Sequence, residues 1–496
     1  MHPAVSGRRP RACLAAAAPP AAARARLAGA LAALLLLGAC AAPPAARVAE
    51  SPAAGAGQWL ARGLQQPGLQ RWLGAQGAQH APGAEWSARQ LRLAALYFHP
   101  SLQLARDGVE LARADLLLAR QWPDPRLQLG FKYQATQAAA LPSPWTIGAA
   151  IGLLLWSHEQ RRAQQQRAEA GLRAARLMLR ASAWHLRRQV DLAFVDCWLA
   201  RRDLALQRQL LAVELRRAQL LQQREHQGWV SAWRVDEQRR ALRRQRRAAL
   251  DAQAGLESAT LELAAAVGVP GRALQDQTLD LHGLDAPAPG RFSLPPRQRT
   301  QQALQRRADV QAAWQRVLAA RAEVQRQISL RDGAPARVAP GVERDQGAND
   351  LTLTADLPLP LLNHHEGQID AARARQALAQ DRLLEVQARA ASRIERARAE
   401  LRAADLAQRV ARRGWRRARR AWLGANAAGA REWIDPLQRV LVRQRWLQAQ
   451  QDLLRARGRQ WQALVRLRAA LQGTGAPAIG GDTGQARVLP TLDAQS

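Results

Sequence analysis

The sequence is poor in aromatic residues, which make up 4% of its 496 positions and include only four Phe and two Tyr. A chain so short of bulky side chains does not fill the broad core of a globular protein of this length. Cysteine is scarce as well, and Cys13, Cys40 and Cys197 exclude a disulfide framework. Lys132 is the single lysine, so arginine carries almost all of the positive charge. Ala, Leu, Arg and Gln dominate instead, a composition typical of long helices and coiled coils.

The N-terminal segment has the layout of a bacterial export signal. Arginines precede an apolar run at residues 27–37, and no acidic residue occurs before Cys40. The run is too short to span a bilayer, which favours a cleaved signal over an anchoring helix. It ends in LGAC, which resembles a lipobox and predicts that Cys40 becomes an acylated mature N-terminus. The alternative is an ordinary signal cleaved after Ala39, with Cys40 incidental.

If the chain is exported, its basic charge no longer indicates nucleic acid as a partner. A net charge of +33 and a pI near 11.8 would normally suggest nucleic acid as a partner. Removing residues 1–39 removes five arginines and lowers the net charge from +33 to +28, and the exported chain does not meet nucleic acid. Ala41 follows Cys40, and its resemblance to the second residue of sorted lipoproteins favours the outer membrane. We expect a lipid-anchored protein of the Gram-negative outer membrane that extends into the periplasm.

Composition and punctuation divide the chain into six segments. Residues 41–85 are rich in Ala, Gly, Pro and Gln, and a Gly- and Pro-rich sequence follows residue 473. We predict a lipoprotein signal peptide at 1–39, a lipid-anchored linker at 40–85, a first repeat at 86–271, a linker at 272–300, a second repeat at 301–473, and a disordered tail at 474–496.

Both repeats are predicted to contain a helix, two strands, a long helix and a returning helix. Alternation of apolar with polar or small residues predicts strands at 126–136, 145–154, 336–345 and 351–359. The first long helix is expected from about 160 to 227, where Gly228 ends it, and the second to about 424, with a break through Gly429. Returning helices are expected at 232–266 and up to residue 471.

An internal repeat supports this division. Residues 102–114 align with residues 310–322, and the long helices carry apolar residues at alternating spacings of four and three. Such a seam is typical of antiparallel coiled coils. It consists of Leu186, Val190, Ala193, Cys197, Ala200 and Leu204 in the first half, and of Ala390, Ile394, Ala397, Leu401 and Ala404 in the second.

Two motifs, WPDPRL at residues 122–127 and LPLPLLNHHEG at residues 357–367, stand at the ends of the predicted strand pairs and resemble those of the TolC-type outer membrane efflux family. Residues 122–127 read WPDPRL and resemble the family's entry into its first strand. Residues 357–367 read LPLPLLNHHEG and resemble its strand-to-helix exit, in which Pro358, Pro360, Asn363 and Gly367 match the motif. The residues of these motifs most resemble those of the branch that works with heavy-metal or multidrug pumps of the resistance–nodulation–division (RND) class.

The resemblance implies a fold that is mainly α, with long coiled-coil helical hairpins and four transmembrane strands per protomer. Strands of about ten residues are long enough to cross an outer membrane as part of a barrel. Four strands cannot close a barrel alone, and open edges are not tolerated in lipid. The family's solution is a homotrimer with a 12-stranded β-barrel continued by an α-helical tunnel. It also implies two partners, a periplasmic adaptor protein and an inner membrane RND-type pump.

The resemblance also implies a periplasmic gate at the turns between the long and returning helices. The expected tip turns are Gly228 and Gly429, and Asp435 occupies an acidic position of the family's gate. Arg234 stands six residues after Gly228, as Asp435 stands six after Gly429. We therefore predict a gate of mixed charge that includes Asp435, Arg431 and Arg234. The alternative is an ordinary surface pair between Arg431 and Asp435, which are four residues apart.

The sequence shows no constellation for catalysis, so the chain is interpreted as a non-enzyme without a cofactor or metal site. The paired His364 and His365 are read as polar turn residues rather than metal ligands. The predicted function is a passive efflux channel for metal ions or drugs. The alternatives are a type I protein-secretion duct and a structural periplasmic coiled-coil lipoprotein, and a basic polyanion binder is disfavoured because the arginines are spread over nearly every helix.

Overall fold

The computed structural model describes residues 52–133, 144–285, 297–333, 335–345, 347–358, 364–430 and 434–472. The chain divides into two compact units, Met1–Trp59 and Leu60–Ser496. Within the first unit the structure describes most of helix α1 (Pro52–Leu60), whose residues are exposed.

The described part of the second unit contains four strands and a series of long helices. The first half consists of α2 (Pro67–Ala75), α3 (Ala88–Phe98), α4 (Pro100–Arg120), β1 (Arg126–Tyr133), β2 (Trp145–Leu155), α5 (His158–His226) and α6 (Ala232–Val267). Two short helices, α7 (Arg272–Gln275) and α8 (His282–Asp285), follow. The second half consists of α9 (Arg297–Arg306), α10 (Ala308–Asp332), β3 (Ala336–Asp345), β4 (Ala348–Asp356), α11 (Glu366–Ala430) and α12 (Pro436–Leu471). The predicted fold class, long helices with a small β part, is confirmed.

The long helices pack through the seam that the sequence predicts. Every seam residue of the second half is buried, and in the first half only Ala200 is partly exposed. At about 1.5 Å per residue, the 69 residues of α5 span about 100 Å, and the 65 residues of α11 nearly as much. A helix of that length needs tertiary packing along its whole length, and the spacing of four and three residues supplies it.

The segment predicted as a linker at 40–85 is in part a packed element of the second unit. Leu64, Leu69 and Leu73 are almost completely buried, and the last two lie on α2. Trp86, just beyond the segment, donates a hydrogen bond from its indole nitrogen to Gln277 at 3.1 Å. The linker expectation was wrong for residues 60–85, because a few well-spaced leucines outweigh a composition of Ala, Gly, Pro and Gln.

The second predicted linker, 272–300, is also partly structured. Leu274 and Leu284 are buried, and a backbone bridge joins Leu279 to Trp86. The indole nitrogen of Trp198 donates to Asp285 at 2.9 Å, which fixes this segment against α5. The described part of the segment therefore packs against α5 and Trp86, and the linker expectation does not hold for it.

The predicted break at 424–429 is absent, because α11 continues to Ala430. Gly429 thus lies in the last turn of the helix, where it does not form the tip turn expected of it. One glycine in a helix costs only about 1 kcal/mol relative to alanine, and the alanines around Gly424 and Gly429 favour helix strongly. Gly228 does stand in a turn, with φ at +71° directly after α5.

Candidate functional site

The first candidate region is a four-stranded antiparallel sheet in the order β1-β2-β3-β4. Its strands contain 8, 11, 10 and 9 residues, close to the 9–11 residues of strands that cross a membrane. The registers Phe131 to Ile147 and Val342 to Leu351 set which side chains share a face. Since side chains alternate along a strand, this register places all the apolar residues of the alternation on one side.

That side of the sheet is largely apolar in the single chain, and Arg344 and Asn349 share it only at the end near the start of β4. Its large apolar side chains are between 41% and 90% exposed, whereas soluble proteins rarely expose apolar patches of this extent. The surface, called here the apolar face, carries Leu127, Leu129, Phe131, Tyr133, Trp145, Ile147, Ile151, Leu153, Leu155, Val342, Leu351 and Leu353. Such a face must be covered by lipid or by protein.

Apart from Leu154, the opposite face of the sheet is polar or small. It carries Lys132, the single lysine of the chain, together with Glu343 and Asp350, which are paired across β3 and β4. Thr146 donates a hydrogen bond to Asp345 on the neighbouring strand. One apolar and one polar face is the alternation of a strand between lipid and a watery lumen.

Both edges of the sheet, β1 and β4, lack a neighbouring strand within the described residues. The unpaired N–H and C=O groups of an edge can pair with a strand of another chain. In a hydrocarbon environment such groups have no water to bind, so pairing becomes obligatory. The sheet is therefore suited to closure between several copies.

The corner motifs lie where strands meet helices. Trp122 is exposed, and the guanidinium carbon of Arg161 stands 3.4 Å from its ring centroid, a cation–π contact between the entry to β1 and the start of α5. Pro358 is exposed after β4, and Gly367 lies in the first turn of α11. His365 between them has φ at +55°. Pro360 and Asn363 lie outside the described residues.

The second candidate region is the end of the helices far from the sheet. Helices α6, α5, α12 and α11 pack side by side in that order. A turn joins α5 to α6 at this end, and α11 ends and α12 begins there as well; this end is called here the tip. Trp229 and Trp233 are 73% and 64% exposed at the first turn, and Trp433 lies outside the described residues.

At the tip, an ion pair joins the two hairpins. Arg224, in the last turn of α5, donates a hydrogen bond to Asp435, which stands directly before α12. Both side chains are about 30% exposed, so water screens the pair only in part. The contact links residues 211 positions apart and fixes one hairpin end against the other.

The structure places the predicted gate residues differently from the sequence analysis. The observed partner of Asp435 is Arg224, and no sequence pattern points to it, since a contact over 211 positions leaves no spacing signal. Arg234 is exposed in the first turn of α6, and no contact between it and Asp435 occurs in the described part of the chain. Arg431 lies outside the described residues.

A ladder of glutamine-to-acid hydrogen bonds joins α12 to α5 above the tip. Gln444 donates to Glu214 at 2.6 Å, and Gln451 donates to Asp203 at 2.9 Å. Gln462 donates to Asp196 at 2.6 Å. Burial raises the pKa of Asp196, and the Gln462 hydrogen bond opposes that shift. Because buried polar groups must be paired, this ladder fixes the register of the two hairpins.

Other chemistry-bearing groups are structural. Cys197 is buried on the seam and donates its S–H to the carbonyl of Ala259 at 3.0 Å. Burial raises the pKa of its thiol to about 12. Among the described residues, no group of three or more potential ligands is placed to hold a metal ion. No described helix combines the length and apolar character that a membrane-crossing helix requires.

Comparison with known proteins gives a family match and several structural neighbours. Residues 92–269 match the family described as outer membrane efflux protein. No curated protein matches the chain. The fold is similar to the outer membrane channel OprN, with 17% sequence identity and a TM-score of 0.64 over 78% of this chain and 90% of that one.

Two further structures are similar at the same level. The outer membrane protein VceC of Vibrio cholerae has 19% identity and a TM-score of 0.62, over 79% of this chain and 97% of its own. CusC, described for its transmembrane channel formation, has 17% identity and a TM-score of 0.61, over 77% of this chain and 91% of its own. At these identities the similarity establishes the fold.

Proposed function

We propose that this chain, whose residues 92–269 match the outer membrane efflux protein family, is the outer membrane channel of a tripartite efflux system. In this role it passively conducts metal ions or drugs from an inner membrane pump and a periplasmic adaptor to the outside. The observation that carries the proposal is the amphipathic sheet with two open edges, joined to helices about 100 Å long.

Closure of the sheet requires copies of the same chain. Three copies supply twelve strands, and β1 of one copy then pairs with β4 of the next. The apolar face turns to lipid, and the polar face with Lys132 and Glu343 turns to the lumen. The helical layers continue the wall, so substrate passes without meeting the hydrocarbon core. This homotrimer is supported by the strand count and by the structural neighbours that are channels.

A gene deletion tests the role in efflux. Loss of the protein should sensitise the cell to metals or amphiphilic drugs, and the toxic compound should accumulate inside. Re-expression of the wild-type chain should restore resistance. If the deletion instead blocks export of one secreted protein while every toxic compound is tolerated, the chain is a protein-secretion duct, and the proposal fails.

We place the gate at the contact between Arg224 and Asp435. This ion pair ties the two hairpins of one protomer at the tip, and separating the hairpins requires breaking it. A partly exposed pair contributes roughly 1 kcal/mol or less, so the gate is a weak latch. Its mixed charge should leave the tunnel only weakly cation-selective.

Two substitutions test the gate. Asp435→Asn and Arg224→Gln should each raise the conductance of the purified protein in planar bilayers. The matched control is Asp236→Asn, which removes an acid from α6 near the tip but breaks only a pair with Arg239 on the same helix. If all three variants behave like the wild type, or if the wild type is strongly cation-selective, the gate lies elsewhere.

The lipid anchor is proposed at Cys40, which lies outside the described residues. Cys40→Ala should abolish incorporation of radiolabelled palmitate, whereas Cys197→Ala should leave it unchanged because that thiol is buried on the seam. Labelling of the Cys40 variant at the wild-type level would contradict the anchor. Fractionation is a poorer readout, since an inserted sheet holds the protein in the membrane by itself.

A further inference from the structure

Two exposed arginine clusters in the tip half of the hairpins share one spacing pattern. Both read RRxxRRxRR, and all twelve arginines are exposed. The first cluster, on α6, consists of Arg239, Arg240, Arg243, Arg244, Arg246 and Arg247; the second, on α11, consists of Arg412, Arg413, Arg416, Arg417, Arg419 and Arg420. No acidic residue occurs in 238–250 or in 406–430.

The pattern forms two parallel rows of positive charge on each helix. In the first cluster one row is Arg239, Arg243 and Arg246, and the other starts one residue later. Each row advances by four and then three residues, which is the spacing of side chains that face a second helix in a coiled coil. The rows avoid the seam to α5, which contains the buried Val235 and Gln238.

The two clusters lie at similar heights on opposite edges of the helical layer. Gln238 on α6 and Gln444 on α12 both contact Glu214 of α5, and Trp422 on α11 stacks with Trp446 of α12. Counted along the helices at about 1.5 Å per residue, both clusters lie roughly 15–30 Å from the tip. Helices α6 and α11 are the outer members of the layer, with α5 and α12 between them.

Little inside the chain neutralises these charges. Within the described ranges, Arg239 is the member of the two clusters that has a carboxylate partner, Asp236 at 2.9 Å. Closing three copies into a ring brings α6 of one copy next to α11 of its neighbour, so both clusters meet at each junction. Like charges that approach in this way repel unless an anionic partner lies between them.

We propose that the two clusters bind an acidic α-helix of a partner protein, whose Asp or Glu residues recur at spacings of four and three. Guanidinium groups match carboxylates as hydrogen-bonding forks, which favours acidic side chains. The coiled-coil spacing of the rows favours a helix over a polysaccharide, whose charges do not follow that period. The meeting of both clusters at one junction rests on the proposed trimer, but the recognition by each cluster alone does not.

The test measures binding of designed helical peptides to the purified full-length protein. One fluorescent peptide of about four heptads carries glutamates at spacings of four and three, and a second has the same composition with the glutamates redistributed around the helix. The first peptide should bind roughly tenfold more tightly, and the affinity of both should fall with added salt.

Two matched triple variants distinguish binding by the cluster from attraction to the net positive charge of the protein. Arg240→Gln, Arg244→Gln and Arg247→Gln together should weaken binding of the first peptide at the first cluster by about tenfold, while the intact second cluster still binds it, so the number of tight sites per protomer falls. The control removes the same charge from exposed positions of α11 nearer the sheet, by Arg375→Gln, Arg382→Gln and Arg396→Gln, and should leave binding unchanged. Far-ultraviolet circular dichroism of each variant shows that its helices are intact.

Three results would overturn the inference. Equal affinity for the two peptides would show that the coiled-coil spacing is not recognised. Equal weakening by the two triple variants would show that the cluster is not the binding site. Tighter binding of hyaluronate oligosaccharides than of the first peptide makes the occupant an anionic polymer. Conductance measured on the same preparation tests the proposed function separately from peptide binding. A protein that binds the peptide but does not conduct would contradict the channel function and leave this inference standing.

Discussion

A charge placed on the apolar face of the sheet should destabilise the inserted protein, while the same charge on the polar face should not. Leu353 lies near the middle of β4, paired with Pro340, and is 73% exposed on the apolar face. Arginine on the lipid side at the midplane of a membrane strand costs about 2–4 kcal/mol. Leu353→Arg should therefore lower the ratio of folded to unfolded chain by a factor of about 30 to 1,000 for each protomer.

The control is the next residue of the same strand. Thr354 pairs with Ala339 and points to the opposite face, where an arginine meets the proposed lumen. Thr354→Arg should change the stability in lipid vesicles by less than about 1 kcal/mol. Urea unfolding of the two variants, followed by gel mobility and tryptophan fluorescence, measures the difference. Equal loss of stability in both, or no loss in either, would refute the assignment of the two faces.

Three further predictions concern the helical part. Cys197 should resist thiol reagents in the folded protein at pH 8, because burial raises its thiol pKa to about 12, and should react fully in denaturant; rapid labelling of the native state would contradict its burial. Burial raises the pKa of Asp196 above its ordinary value of 3.8, so the folded state penalises its ionised form at neutral pH. Asp196→Asn should then raise the free energy of unfolding at pH 7, with the gain disappearing below about pH 3.8, and a gain that persists in acid would show another cause. Gly268 has φ at +85°, and an added Cβ would stand 2.8 Å from the Cα of His99, so Gly268→Ala should cost more than about 1 kcal/mol. Gly255→Ala inside α6, the helix that Gly268 follows, should be neutral or stabilising because a Cβ there meets nothing within 4 Å; the reverse order in thermal unfolding would contradict this backbone geometry.

Regular spacing of apolar residues made the helices and strands predictable from the sequence. Alternation along residues 145–154 predicted β2, and the spacing of Leu186 and Val190 predicted the seam, because both depend on residues near one another in the chain. The helices and strands were therefore accessible from local patterns, whereas their assembly into one fold class was implied by the family resemblance.

Contacts between distant residues were not readable. Arg224 and Asp435 meet across 211 positions, and the sequence pointed instead to Arg431 and Arg234, which stand near Asp435 or at the equivalent place in the repeat. The ladder of Gln444 with Glu214 leaves no local signal either, since glutamine is common throughout the helices. The packing of Leu64 was hidden by the linker-like composition that surrounds it.

The central claim is that copies of this chain close into a conducting pore, and single-channel recording in planar bilayers tests it most directly. The purified wild-type protein should give uniform conductance steps with weak cation preference, and Arg224→Gln should enlarge them because it opens the tip. If membrane-inserted protein gives no conductance steps even with Arg224 replaced, the claim is contradicted. Neither a closed gate nor a failure to insert would then explain the absence of conductance.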